Sequence, residues 1–315
     1  MTPTLMTTRL DSPSGLVIVD KPADWTSHDV VGKLRRIFGT RKVGHSGTLD
    51  PMATGVLVCG VGQGTRLMGY VSDAGKAYDA TIRLGLMTST DDAEGDVSLT
   101  TPVELTTELE TAARANLSAM VGEIHQRPSS VSAIKVDGER AYEKVRRGES
   151  VELPARQVTI EELTVHSVQA NEHMGMPVVD IDVSVACSSG TYIRAIARDL
   201  GEELGVGGIL TSLRRTRVGE FTLDDSLSIE QLEKEPTIMS MEHALPALFH
   251  CITLDQDNAR KFGNGGKVSP EVVAESVRAT AASGTLLGVL DADGRALGVA
   301  EYSERAIAPK IVWPN

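Results

Sequence analysis

The chain has 315 residues, 41% of them hydrophobic, and a formal net charge of −12. This length exceeds the usual size of one domain, so we expect one large and one small domain around a full hydrophobic core. We find no apolar run of about 18 residues that could cross a membrane, and residues 1–14 lack the features of a signal peptide. We therefore expect a cytoplasmic protein whose first 14 residues form a flexible tail.

The cysteines and histidines give no sign of a metal site. Cys59, Cys187 and Cys251 are odd in number and far apart, which fits a reducing compartment and small buried apolar residues. The seven histidines are scattered, and neither a Cys-x-x-Cys pair nor a Gly-rich Lys-Ser/Thr loop for a nucleotide is present. We therefore predict no metal and no cofactor.

The negative net charge argues against a polyanionic partner, but its distribution matters more. Phosphate contacts are local, because the field of a charge decays within a Debye length of about 8–10 Å. Basic residues cluster at 33–42, 140–147 and 214–217, while acidic residues collect elsewhere. This distribution allows a basic groove on an acidic body. A solvated surface face is the alternative for each cluster.

The first predicted elements are a strand and a helix. Residues 16–19 are a short apolar run that ends at a Pro-containing turn, as in a buried strand. Thr26 followed by Asp29 predicts the start of a helix, whose apolar stripe closes at Gly39. Its basic side chains fall on the opposite face, so the helix brings positive charge to solvent just before the next loop.

Residues 44–55 read Gly-His-Ser-Gly-Thr-Leu-Asp-Pro-Met-Ala-Thr-Gly and predict a shaped loop. Its three glycines permit positive φ, and Pro51 disfavours the helical region for Asp50. The loop holds a single carboxylate, Asp50, behind five basic residues. A loop this constrained usually holds a functional group in position, although an isolated Asp-Pro pair is more often a simple turn.

Two strictly alternating segments predict half-buried strands, at residues 76–85 and 179–185. The first places Tyr78 on the inward face, where a tyrosine is normally part of the core. Aromatic residues make up only 3% of the chain, so few rings other than Tyr78 could stack on a base. Between these strands, we expect a solvated acidic loop at 88–98 and a helix over roughly 104–121.

From about residue 125 to 151 the chain is polar, basic and rich in turn-forming residues. Such an insertion can act as a mobile arm over a nucleic acid, and an ordinary loop with a short helix is the alternative. Further on, Ser-Gly-Thr-Tyr-Ile-Arg at 189–194 predicts a junction from strand to helix, with Arg194 in the first helical turn. Arg194 should point at whatever occupies the end of the sheet, unless it is a surface arginine.

Four ordered segments resemble motifs of the TruB family of tRNA pseudouridine synthases. They are Asp-Lys-Pro-x-x-x-Thr-Ser at 20–27, the loop at 44–55, the junction at 189–194, and Leu-Thr-Ser-Leu-Arg-Arg-Thr-Arg-Val-Gly at 210–219. The insertion is similar to the thumb loop with which this family grips RNA, but Ser129 and Val131 stand where the family commonly has a proline and an aromatic residue. Residues 250–315, with a predicted hairpin around 291–294, resemble a small β-rich PUA RNA-binding domain.

The resemblance implies a role for each site residue. Asp50 would be the catalytic nucleophile, Arg194 would pair with it, and Tyr78 would stack on a flipped uracil and act as an acid or base. The residues implied to contact the substrate are Lys21, His45, Tyr192, Leu213, Lys135, Arg146 and Arg147.

The resemblance also implies the fold and the function. The fold is α+β, with a mixed, largely antiparallel sheet flanked by helices at 15–249 and a PUA-like domain at 250–315. The activity is conversion of uridine 55 in the T-arm of tRNA to pseudouridine, by a monomer that flips the base and uses no guide RNA. Two alternatives stay open: a non-catalytic RNA-binding protein on the same scaffold, and a guide-dependent enzyme for ribosomal RNA. The route also stays open, since the aspartate could attack C1′, add to C6 or drive elimination.

Overall fold

The computed structural model describes residues 13–129, 135–136, 139–140, 154–278 and 281–313. Arg146, Arg147 and Val131 lie outside these ranges, as does the predicted tail apart from residues 13 and 14. None of the helices in the described ranges combines the length and apolar character that crossing a membrane requires.

The strands in these ranges are β1 (Gly15–Lys21), β2 (Val43–Ser46), β3 (Thr54–Val61), β4 (Lys76–Leu84), β5 (Leu86–Thr88), β6 (Val97–Thr100), β7 (Gly122–Gln126), β8 (Lys135–Val136), β9 (Glu139–Arg140), β10 (Arg156–His173), β11 (Met176–Cys187), β12 (Gly208–Val218), β13 (Phe221–Thr222), β14 (Met239–Ser240), β15 (His250–Leu254), β16 (Leu286–Asp291), β17 (Ala296–Ser303) and β18 (Ala306–Val312).

The α-helices in the same ranges are α1 (Ser27–Ile37), α2 (Met68–Ser72), α3 (Thr107–Ala119), α4 (Ile193–Glu203), α5 (Ile229–Lys234), α6 (Met241–Leu248), α7 (Gln256–Gly263) and α8 (Glu275–Arg278). Short 3₁₀ turns occur at Gly62–Leu67, Leu223–Asp225 and Pro270–Val272.

A ten-stranded sheet forms the main body, in the order β14-β1-β3-β12-β4-β11-β10-β7, with β2 and β13 attached at β3 and β12. Its neighbouring strands are antiparallel except for β3 and β12, which are parallel. Helices α1, α3 and α4 contribute buried residues to a core on this sheet. The prediction of a mixed, largely antiparallel sheet flanked by helices is confirmed.

Local sequence signals account for the elements near the site. Helix α1 begins with the predicted capping box, in which Thr26 and Asp29 bond each other's backbone N–H groups. Strand β4 buries alternate residues, including Tyr78, as its pattern predicts. Strand β10 gives no such pattern, because bulges after Ile160 and Val165 break its alternation.

A smaller four-stranded sheet, β15-β16-β17-β18, follows the main body. It has its own apolar core, and it also shares a second core with the large sheet, where Trp313 and Val299 are buried together with Leu16. The Arg66 guanidinium donates a hydrogen bond of 2.7 Å to the carbonyl of Val312 across this seam. The prediction of a C-terminal β-rich unit is confirmed, whereas the division at residues 249 and 250 stays a prediction.

The cysteines are unpaired. Cys59 and Cys187 are buried, as expected of small apolar residues, whereas Cys251 is only partly buried.

Candidate active site

The loop that carries Asp50 connects the paired strands β2 and β3. Hydrogen bonds to the start of helix α1 hold it in place. The Ser27 hydroxyl, at the start of α1, accepts a hydrogen bond of 3.0 Å from the Leu49 N–H and donates one of 3.1 Å to the Leu49 carbonyl. Gly47 and Gly55 have φ of +69° and +99°, a region that L side chains rarely adopt. The loop is therefore held in a defined shape next to the end of the sheet.

Lys21 lies under this loop and has no exposed surface. Its ammonium donates hydrogen bonds to the carbonyls of Pro22 (2.9 Å), Trp25 (2.6 Å) and Pro51 (3.1 Å). Burial lowers the pKa of Lys21 to about 8, although the Asp50 charge raises it. All three ammonium donors bind backbone carbonyls, so Lys21 braces the loop beside Asp50. Its contact with the substrate stays a prediction.

Asp50 and Arg194 meet at the cleft even though 144 residues separate them. Arg194 lies in the first turn of α4, and its Nε is 3.1 Å from Oδ2 of Asp50. A second guanidinium nitrogen donates to Oδ1 at 3.4 Å. The Asp50 side chain is 35% exposed, whereas that of Arg194 is 7% exposed. The carboxylate therefore faces the cleft, and the arginine supports it from the protein side.

Arg194 also binds a second carboxylate that the sequence analysis missed. Its Nη1 lies 3.3 Å from Asp92 Oδ2 and donates to the Thr90 carbonyl at 2.8 Å. The Asp92 side chain is only 3% exposed, and it accepts further hydrogen bonds from the Glu94 N–H and the Thr90 hydroxyl. The prediction of a solvated loop at 88–98 is wrong here, because a buried arginine compensates the buried charge of Asp92.

The charge state of Asp50 reflects these opposing neighbours. Although part of its side chain is open to the cleft, protein atoms surround most of it, and this loss of hydration raises the pKa of Asp50 above its usual value. The Arg194 and Lys21 charges lower this pKa, and the Asp92 carboxylate raises it. Arg194 is thus the main group that favours the ionised carboxylate.

Tyr78 lies on β4, in the lining of the same cavity as Asp50, and is 7% exposed. Its strand neighbours are Val185 in β11 and Arg215 in β12. Burial raises the pKa of Tyr78, and the Arg215 charge opposes this shift. The phenol is therefore neutral near neutral pH, with a ring that can stack and a hydroxyl that can donate.

These groups line one cavity of about 290 Å³, near the lower end of the range of about 300–1,000 Å³ for small-molecule pockets. The predicted site residues that line it are Asp50, Tyr78, Tyr192, Arg194 and Leu213. Lys76 and Arg215 line it as well, and neither was predicted as a site residue.

The position of Tyr192 depends on another residue that the sequence analysis missed. Gln126, 2% exposed at the end of β7, accepts a hydrogen bond of 2.7 Å from the Tyr192 N–H and donates one of 3.0 Å to the Tyr192 carbonyl. The beginning of the predicted thumb-like insertion is therefore fixed to the junction that carries Arg194.

The remaining predicted substrate contacts do not line this cavity or lie outside the described side chains. His45 is in β2, and its ring packs edge-on against His28 with 5.4 Å between ring centroids. Lys135 belongs to the short β8–β9 hairpin, and only its backbone is described.

The basic cluster at 214–217 does not form a continuous surface face. Arg215 is buried at 1% exposure, while Arg214 pairs with Asp20 at 2.8 Å. The burial of Arg215 could have been predicted from the sequence. Leu213 and Arg215 are two residues apart on a strand and therefore share a face. A strand assignment at 210–219 would have placed Arg215 beside the pocket residue Leu213.

Two family models match the chain. The TruB family pseudouridylate synthase (N terminal domain) model matches residues 35–193, and the tRNA pseudouridylate synthase B C-terminal domain model matches residues 194–253. Together they cover more than half of the chain. The chain belongs to the TruB family of pseudouridine synthases.

Curated TruB relatives agree with this assignment over nearly the whole length. The chain is 49% identical to tRNA pseudouridine synthase B of Thermobifida fusca (strain YX) over 299 residues, covering 95% of this chain and 98% of the relative. It is 53% identical to tRNA pseudouridine synthase B of Arthrobacter sp. (strain FB24), covering 92% and 97%. The predictions of family and enzyme class are confirmed: the protein is a pseudouridine synthase.

Solved structures with a similar fold include a chain of a Cbf5-Nop10-Gar1 complex, with a TM-score of 0.70, 20% identity, and coverage of 100% of this chain and 95% of that one. A chain of an H/ACA RNP bound to a substrate RNA containing 2′-deoxyuridine has a TM-score of 0.67 at 20% identity and covers 99% and 95%. At this identity the likeness concerns the fold alone, and it supports the predicted pseudouridine synthase fold.

Proposed function

We propose that this TruB-family enzyme converts uridine 55 in the T-arm of tRNA to pseudouridine, as a cytoplasmic monomer that needs neither guide RNA nor cofactor. The observation that carries the proposal is the partly exposed Asp50 carboxylate, held by Arg194 at 3.1 Å in a cavity that Tyr78 also lines. A protein that only bound RNA would not require this carboxylate.

The reaction sets few chemical requirements. It breaks the bond between N1 and C1′ of uridine, turns the base and rebuilds the link through C5, so no group leaves and no electrons are gained or lost. It needs a nucleophile or base, a shielded pocket and a base flipped out of the RNA. Attack on C1′, addition to C6 and elimination all begin from an ionised aspartate, and Arg194 favours that state of Asp50.

The other pocket residues suit the flipped base. The neutral Tyr78 ring offers a stacking surface for uracil, and its hydroxyl can donate a proton or a hydrogen bond. Leu213, 7% exposed, supplies an apolar wall. Gln126 and Tyr192 link the start of the insertion to the site, so RNA held by the insertion would lie close to the cavity.

The guide-free reaction is tested by incubating the purified chain alone with an unmodified tRNA transcript and mapping pseudouridine along it. We expect modification at position 55 alone. Activity that needs an added guide RNA, or that appears only on ribosomal RNA, would refute the proposed substrate, and tRNA binding without any pseudouridine would favour the non-catalytic alternative. Light scattering of the same sample tests the oligomeric state, and we expect the 33.6 kDa mass of one chain.

Binding of tRNA should weaken steeply with salt despite the net charge of −12, because phosphate neutralisation releases counterions. We expect the double substitution of Arg146 and Arg147 by Gln to reduce the slope of log K against log salt by up to about 2, roughly 0.9 for each lost phosphate contact. Arg114→Gln is the control, because Arg114 already pairs with Glu110 at 2.9 Å. An unchanged slope in the double variant would remove these arginines from the RNA interface.

Turnover at saturating tRNA should fall on acidification at a higher pH than an ordinary aspartate requires. Burial raises the pKa of Asp50, so the inactive protonated form accumulates above the usual value of 3.8. Single-turnover rates measured across pH, with tRNA binding and folding followed in the same buffers, check this. An acid limb centred at or below 3.8 would contradict it.

A further inference from the structure

Arg215 is the largest fully buried side chain among the described residues, at 1% exposure. Its strand, β12, lies between β3 and β4, and the backbone of Arg215 is paired with Gly55 on one side and Tyr78 on the other. One residue thus connects the end of the Asp50 loop to the strand of the cavity tyrosine. Because burying a charge is costly, the contacts of its guanidinium indicate what it does.

The guanidinium of Arg215 bonds both ends of the Asp50 loop. Its Nε donates to the Val56 carbonyl at 2.7 Å, and its Nη2 donates to the Gly47 carbonyl at 3.0 Å. These two carbonyls flank residues 48–55. Since the guanidinium is planar and holds its donors in a fixed fork, the two bonds together fix the distance between the ends of the loop.

The loop backbone approaches Arg215 closely at both of its terminal glycines. A Cβ added at Gly47 would lie 3.3 Å from Nη1 of Arg215, and one added at Gly55 would lie 2.2 Å from the Arg215 carbonyl oxygen. Both glycines also have positive φ. The close approach at Gly55 requires the absence of a side chain there, and at Gly47 a side chain would crowd the Arg215 guanidinium.

We propose that Arg215 is a positioning residue of the reaction. It clamps the two ends of the Asp50 loop and holds them in register with Tyr78, so that the carboxylate and the ring face the same flipped uridine. Arg215 also lies beside Tyr78 in the cavity wall, and it acts by holding these groups in place. The inference rests on the proposed function of Asp50.

The test compares Arg215→Lys with Arg217→Lys on the same strand. Lysine keeps the charge, but a single ammonium on a flexible stem does not reproduce the fork that spans both carbonyls. A small displacement of a reacting group costs about 100-fold in rate, so we expect kcat of Arg215→Lys to fall by about that factor while tRNA affinity is largely retained. Among the described residues, Arg217 donates to the Gly219 carbonyl of its own turn, at 3.1 Å, and it does not line the cavity, so Arg217→Lys should keep parental turnover.

Amide hydrogen exchange separates positioning from a general loss of structure. In Arg215→Lys we expect faster exchange at residues 48–55 and unchanged exchange in α4. Gly47→Ala disturbs the same contact from the loop side, and should give the same pattern if Arg215→Lys does not fold. Parental kcat, or reduced kcat with unchanged loop exchange, would overturn the inference. An active Asp50→Asn protein would instead refute the role of Asp50, while faster loop exchange in Arg215→Lys would still support the clamp.

Discussion

Asp50→Asn is expected to abolish pseudouridine formation while tRNA binding persists. Asparagine is close in size to aspartate and keeps hydrogen-bonding capacity, so the loop and its contact to Arg194 should survive. What it lacks is the negative oxygen from which each of the three routes begins. A residue that merely shaped the turn would tolerate asparagine, which is at least as good in turns.

The measurement is multiple-turnover pseudouridine formation beside a binding assay on the same protein batch. Asp79→Asn is the matched control, because Asp79 neighbours Tyr78 in sequence but is exposed, with its carboxylate bound to Ser184. We expect the control to keep turnover. Loss of tRNA binding in Asp50→Asn would show that the substitution acts on the shape of the loop.

Arg194→Lys should lower kcat by about 100- to 1,000-fold, the cost typical of losing one preorganised donor in an active site. Nε and Nη2 of Arg194 bind the Asp50 carboxylate, and Nη1 binds both the Asp92 carboxylate and the Thr90 carbonyl. Lysine keeps the positive charge but loses the planar fork, so the Asp50 carboxylate should lose its orientation and part of its stabilisation. Affinity for tRNA should change far less than kcat.

Arg83→Lys is the matched control for Arg194→Lys. Arg83 also makes a two-point contact to a carboxylate, that of Asp180, with both bonds at 2.7 Å, but it does not line the cavity. We expect this control to lose some stability and to keep kcat. Equal losses of kcat in both variants, following equal losses of thermal stability, would assign Arg194 a structural role only.

Local patterns predicted the elements of the fold near the site but not the contacts between them. The capping box at Thr26 and the alternation around Tyr78 depend only on residues close in sequence, and both are found where expected. Strand β10 was not predicted, because its bulges break the alternation on which such a prediction depends. The pairing of Asp50 with Arg194 followed only from a family resemblance, since 144 residues separate them.

The missed residues share one physical cause. Asp92, Gln126 and Arg215 are buried polar residues, and each binds at least one partner that is distant in sequence. A composition-based analysis assigns such residues to the surface, as it did for the acidic stretch at 88–98. Local sequence also gives no sign that the Lys21 ammonium binds three backbone carbonyls, those of Pro22, Trp25 and Pro51.

We propose that the Asp50 carboxylate performs the isomerisation of one tRNA uridine. The most direct test of this claim is position-resolved mapping of pseudouridine in an unmodified tRNA after single-turnover incubation with excess purified chain, beside Asp50→Asn at equal RNA occupancy. We expect nearly one pseudouridine per tRNA at position 55 from the parent and none from the variant. Pseudouridine at position 55 from a sequence-verified, uncontaminated Asp50→Asn protein would contradict the claim.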